Sequence, residues 1–78
     1  MSAISKTATA EATALDAMRQ ALAPAAVGSL VIRVEPAAEA GGTVALIHVF
    51  GAYDCKGTEA EVTGLLKSVA LPWRIVWH

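Results

Sequence analysis

The run TVALIHVF, residues 43–50, places the strongest constraint on how this 78-residue chain can fold. Apolar side chains occupy both of its alternating sides. One side carries Val44, Leu46, His48 and Phe50, and the other carries Ala45, Ile47 and Val49. Such a pattern is typical of a strand that is covered on both faces. We therefore predict a buried central strand, and the sequence leaves open which side of it faces the helices.

Two further strands are indicated on either side of this run. Residues 29–35 alternate between apolar and polar side chains, as a half-buried strand does. Pro36 and the glycine pair at 41–42 predict a seven-residue loop over 36–42. A third strand is predicted over 73–78, where Trp73, Ile75 and Trp77 alternate with Arg74, Val76 and His78. We place the two tryptophans and Ile75 in the core.

Helical periodicity marks two segments. Apolar residues spaced by three and four positions predict a helix over 9–22, which Pro24 stops, and another over 58–70. Thr58 and Glu61 have the spacing of a capping box at the start of the second helix. The apolar positions of the two helices are Leu15, Met18, Leu22, Val62, Leu65, Leu66 and Val69.

The resulting order, α-β-β-α-β, predicts an α+β fold: a two-layer sandwich with a three-stranded sheet and two helices on one face. The length allows one domain, which we place at 9–78, with a partly disordered N-terminus at 1–8. Two strand orders remain open, namely 1-2-3 with a parallel third strand, or 3-1-2 with all strands antiparallel. The two-sided apolarity of residues 43–50 favours the first.

Composition argues against several functions. The net charge is −1, and the six Lys and Arg residues are spread along the chain, so nucleic-acid binding is not expected. No apolar run approaches the roughly 20 residues that span a bilayer, so no membrane association is expected. The single cysteine permits no internal disulfide and favours a cytoplasmic location.

The segment GAYDCKGT, residues 51–58, lies between a predicted strand and a predicted helix. The phosphate-binding loop of nucleotide hydrolases has that position but ends in Gly-Lys-Thr, whereas this segment ends in Lys-Gly-Thr. We interpret it as a turn in which Gly51 ends the strand and Thr58 caps the helix.

Cys55 is the other candidate for chemistry. It precedes a predicted helix and is followed by Lys56, two features that make a thiol more reactive. Catalysis would also need a base, and the only histidines are His48, seven residues upstream, and His78. No spacing typical of metal ligands is present. We therefore expect no enzyme, no metal and no cofactor, and keep a weak thiol-dependent activity as an alternative.

The element order is loosely similar to that of KH-type single-strand RNA modules and of truncated ferredoxin-like domains. A KH domain binds through a G-x-x-G loop between two helices, and this chain has neither that loop nor basic flanks. Single-strand nucleic-acid binding is therefore kept only as another alternative.

The predicted sheet has one face without helices, and exposed apolar patches rimmed by charge mark protein interfaces. We expect a small protein-interaction module that forms a homodimer through this face, with a different protein partner as the second possibility and an incompletely covered monomer as the third. Small inhibitors from phages and mobile elements, anti-CRISPR proteins among them, often have this size, although no residue here carries that likeness. The predicted interface residues are Val31, Arg33, Ile47, Val49, Arg74 and Val76. If the other side of residues 43–50 is the open one, Val44, Leu46, His48 and Phe50 replace Ile47 and Val49.

Overall fold

The computed structural model describes the backbone of residues 2–78 and the side chains of residues 11–78. Its elements follow the predicted α-β-β-α-β order, which confirms a small α+β domain. A short 3-10 turn follows the first helix. In chain order the elements are α1 (Ser2–Leu22), the turn Ala23–Ala25, β1 (Val31–Glu39), β2 (Gly42–Phe50), α2 (Cys55–Leu65) and β3 (Trp73–Trp77).

The sheet has β2 in its centre and the strand order β1-β2-β3. β1 and β2 are antiparallel, whereas β3 runs parallel to β2, and α2 makes the crossover between them. Ile47 in the middle of β2 lies opposite Val34 of β1 and Ile75 of β3. The first of the two predicted strand orders is therefore confirmed.

The predicted loop over 36–42 is wrong. β1 continues through Pro36 to Glu39, and only Ala40 and Gly41 form the hairpin turn. Glu39 pairs directly with Gly42, whose φ of 120° favours glycine. Proline is tolerated here because β1 is an edge strand, where one N–H is not needed for pairing.

The core lies between the two helices and one side of β2. Ala45, Ile47 and Val49 are fully buried there. The lighter side of β2 thus faces the helices, and His48 lies on the opposite side. Burying an imidazole under the helices would cost free energy unless it found hydrogen-bond partners there. The other buried members of the core are Leu15, Met18, Leu22, Val34, Val62 and Leu66.

The two tryptophans of β3 differ in their packing. Both were expected in the core with Ile75. Trp73 and Ile75 are partly buried and pack against the core, but the side chain of Trp77 is 39% exposed. Trp77 therefore belongs to the margin of the core.

The first helix is longer than predicted, since it begins at Ser2 rather than near residue 9. Its end at Leu22 agrees with the prediction, and Pro24 lies in the 3-10 turn that follows. The expectation of a partly disordered N-terminus concerns residues 1–8, whose side chains lie outside the described part of the structure, and it stays a prediction.

The second helix begins at Cys55 and ends at Leu65, so the predicted span of 58–70 is wrong at both ends. Asp54 is the N-cap, and its Oδ1 accepts a hydrogen bond from the N–H of Gly57 at 3.0 Å. Thr58 lies within the first turns of α2 and does not cap it. The predicted capping box at Thr58 is therefore wrong. The helix begins after an aspartate four residues earlier, and aspartate is at least as good an N-cap as threonine.

Candidate interaction surface on the open sheet face

The sheet has a helix face, described above, and an open face that no element packs against within the described residues 2–78. Because side chains alternate along a strand, the strand pairing assigns each residue to one face. The open face consists of Val31, Arg33, Glu35, Ala37 and Glu39 of β1, Val44, Leu46, His48 and Phe50 of β2, and Arg74 and Val76 of β3, with His78 adjoining.

Four of the six residues predicted to form an interface lie on this open face. They are Val31, Arg33, Arg74 and Val76. The other two, Ile47 and Val49, are wrongly placed by the prediction, because both are fully buried against the helices. The error has one cause: the two sides of β2 are similarly apolar, and the wrong one was assigned to the open face.

A chain of three polar side chains crosses the open face from β1 to the residue after β3. Nε2 of His48 lies 2.7 Å from Oε1 of Glu35, and Nδ1 of His48 lies 2.8 Å from Nε2 of His78. The His48 side chain is only 20% exposed, whereas Glu35 is 59% exposed. The network therefore holds His48 in a fixed orientation in the middle of the open face.

When both rings are neutral, the geometry of this network determines which ring nitrogens carry the protons. A carboxylate only accepts hydrogen bonds, so His48 carries its proton on Nε2 and donates it to Glu35. Nδ1 of His48 is then an acceptor, and His78 donates to it through Nε2.

This network is not among the features predicted from the sequence. His78 pairs its backbone N–H with the carbonyl of Val49 at 2.9 Å, which extends the β3 pairing by one residue. The parallel register places Val76 beside His48. His78 thereby reaches the same face as His48, a contact that only the parallel strand order predicts.

A second polar bridge crosses the open face near the hairpin turn. The guanidinium of Arg74 on β3 pairs with the carboxylate of Glu39 on β1. β2 lies between these two strands, so the long arginine side chain spans its surface. The open face therefore carries two polar bridges that connect β1 with β3 or the residue after it.

The apolar part of the open face is consequently smaller than predicted. Val44, Leu46, Phe50 and Val76 are each partly buried, and Val31 at 45% is the most exposed. The ring of His78 stacks on Phe50 with 4.2 Å between the ring centroids. Val31, Arg33 and Phe50 line a shallow depression at one end. The open face is thus a mixed polar and apolar surface.

The GAYDCKGT segment forms a turn that enters α2. Gly51 has a φ of 79°, and a Cβ there would lie 2.7 Å from the carbonyl oxygen of Ser29, so only glycine fits. The carboxylate of Asp54 accepts a hydrogen bond from a backbone N–H at the start of α2. This carboxylate thereby occupies the position that a phosphate would take in a phosphate-binding loop. The segment therefore has a structural role.

Cys55 is the first residue of α2 and is exposed. Across residues 11–78 its thiol makes no hydrogen bond, and both histidines lie on the open face, on the other side of the sheet. The structure does not bring the thiol and a histidine base together. Within the described residues no group of three or more His, Cys, Asp or Glu side chains could hold a metal ion.

No helix among the described residues is both long and apolar enough to cross a bilayer. Comparison with known proteins gives no match to any family model, any curated protein or any solved structure.

Proposed function

We propose that the chain is a small non-enzymatic protein-interaction module that docks a partner protein against its open sheet face. The observation that carries this proposal is the placement of both helices on one side of the sheet, so that no element of residues 2–78 covers the other side. Uncovered surfaces that combine apolar patches with polar groups are typical of protein-binding sites.

The charges on the open face favour a protein over a nucleic acid. Arg33 and Arg74 are balanced by Glu35 and Glu39, and Arg74 is already paired with Glu39. Single-strand nucleic-acid modules combine a basic groove with exposed aromatic rings for base stacking. Here the ring of Phe50 is stacked against His78 instead.

The size of the face favours a partner larger than a second copy of the chain. Three strands of at most nine residues have a footprint of roughly 400 Å², about half of what each partner buries in a standard interface. A face-to-face homodimer, which the sequence analysis expected, would therefore be weak, and it stays a prediction. A larger protein can also contact the margins of the sheet. An inhibitor that occludes such a protein in the cytoplasm fits this arrangement.

Two valines provide a matched test. Val31 is 45% exposed on the open face, whereas Val27 is 67% exposed and shares a depression with Thr58 and Glu61 of α2. The tagged wild type, Val31→Glu and Val27→Glu would each be used to recover partners from the expressing cells. We expect the same partner with wild type and Val27→Glu and its loss with Val31→Glu, while circular dichroism shows both variants folded.

Retention of the partner by Val31→Glu would contradict the proposal, as would equal loss from both variants. Recovery of single-stranded nucleic acid, in amounts that fall steeply with salt, would support the nucleic-acid alternative instead. Cys55→Ser is expected to leave both partner recovery and the cellular effect unchanged. Loss of the cellular effect in that variant would favour the thiol alternative.

A further inference from the structure

The two edge strands of the sheet, β1 and β3, differ in how well they are protected against pairing with a further strand. Ala45 donates its N–H to the carbonyl of Pro72 at 2.8 Å, and His78 donates its N–H to Val49 at 2.9 Å. In a parallel pair, alternate residues of a strand bond to the same neighbour. The even-numbered residues of β3 therefore bond to β2. The residues that direct their N–H and C=O outward are Trp73, Ile75 and Trp77.

The same alternation defines the outer edge of β1. Its outward-directed backbone groups belong to the residues opposite Ala45, Ile47 and Val49, which include Val34 and Pro36. Pro36 has no N–H to offer, and the carbonyl of Val34 accepts a hydrogen bond from Nη2 of Arg19 at 3.1 Å. Proline and covering side chains are devices that prevent another strand from pairing with an edge.

The outer edge of β3 carries no such protection. Within residues 11–78, no side chain donates to or accepts from the backbone of Trp73, Ile75 or Trp77. The strand contains no proline, and Trp77 is 39% exposed beside this edge. Unprotected edges of this kind are templates for pairing with a further strand.

We propose that β3 pairs with β3 of a second copy, antiparallel and centred on Ile75, so that two sheets join into one. This register sets each outward-directed residue opposite another: Trp73 opposite the second copy's Trp77, and Ile75 opposite itself. Each such pair can exchange both backbone hydrogen bonds. Trp73 and Trp77 then meet across the strands on the helix face, where paired aromatic side chains stabilise a sheet.

A second copy fits this edge because the register is self-complementary. On the open face, Arg74 lies opposite Val76 of the second copy, so no two charges are directly opposed. The joined sheets would place two open faces side by side, with a combined footprint of roughly 800 Å², the area that one partner buries in a standard interface.

This pairing is independent of the proposed function, and its test uses different readouts. A five-residue edge buries little area, so we expect association only at micromolar concentrations or above. Light scattering over a concentration series should show the mass rising from 8.0 kDa towards twice that value. Amide hydrogen exchange should show Trp73, Ile75 and Trp77 becoming protected as the mass rises, because only edge pairing engages these alternate N–H groups.

Charge substitutions at Val76 test the register. Val76→Lys places a cation opposite Arg74 of the second copy at two symmetry-related points, and we expect the dimer Kd to rise about tenfold. Val76→Glu places an anion there and should leave the Kd equal or lower. Circular dichroism would verify that both variants are folded.

Three results would overturn the inference. The first is a mass that stays at 8.0 kDa at the highest concentration. The second is a dimer in which the three amides exchange as fast as in the monomer, which is the behaviour of a face-to-face pair. The third is an equal effect of Val76→Lys and Val76→Glu on the Kd.

Discussion

Nδ1 of His48 and Nε2 of His78 lie 2.8 Å apart although 30 positions separate them in the chain. When both rings are neutral, this contact and the one between His48 and Glu35 determine which ring nitrogen of each histidine carries the proton. In the neutral rings we expect the Nε2–H tautomer of both histidines, with Nδ1 of His48 accepting from His78. Nitrogen-15 spectra of the imidazole rings measure this directly. Glu35→Ala should remove the preference at His48, and an Nδ1–H tautomer of His48 in the wild type would contradict the network.

Leu46 and Ile47 are neighbours in β2 that lie on opposite faces of the sheet. Ile47 is fully buried in the core, so Ile47→Ala should lower the free energy of unfolding by about 2–4 kcal/mol. Leu46 is only partly buried on the open face, and Leu46→Ala should cost clearly less. Urea denaturation of both variants compares them. A larger loss from Leu46→Ala would mean that the opposite side of β2 faces the helices.

Two glycines of α2 are expected to respond oppositely to alanine. A Cβ at Gly64 would meet nothing within 4 Å, so Gly64→Ala should raise the free energy of unfolding by about 1 kcal/mol. A Cβ at Gly57 would lie 2.5 Å from Oδ2 of Asp54 and would disturb the cap. Gly57→Ala should therefore be destabilising, as should Asp54→Ala, by about 1 kcal/mol. Thermal unfolding measures all three, and stabilisation by Gly57→Ala would argue against the Asp54 cap.

Arg19 connects α1 to the edge of the sheet. It donates to the carbonyl of Val34 and also pairs with Asp16. Arg19→Met should cost about 1 kcal/mol of stability, because a partly buried carbonyl loses its partner. Asp16→Asn removes only the exposed ion pair and should change stability by less than about 0.5 kcal/mol. Chemical denaturation separates the two effects, and equal losses would show that the bond to Val34 contributes nothing.

The element order and the apolar stripes of the helices could be predicted from residue spacing alone. The side of β2 that faces the helices could not, because both sides are apolar and only His48 distinguishes them. That histidine was the available signal, since an imidazole is more easily accommodated where Glu35 and His78 can bond to it. Ile47 and Val49 were misassigned for this reason.

The predicted end of β1 and the predicted start of α2 are wrong for two separate local reasons. Pro36 predicts a loop in most contexts, yet on the outer edge of β1 its missing N–H costs no pairing. Asp54 and Thr58 are both good N-caps, and sequence alone does not rank them. The network of Glu35, His48 and His78 depends on the parallel register of β2 and β3, which only the folded chain defines.

Site-specific photo-crosslinking on the open face tests the proposed docking surface most directly. A photoreactive amino acid would replace Val31 on that face or, in a second variant, Tyr53, whose side chain is 98% exposed in the turn before α2. We predict that the Val31 probe captures a partner protein in the expressing cells and that the Tyr53 probe does not. Capture of that partner by the Tyr53 probe alone would place the binding site at the strand-to-helix turn and contradict the account.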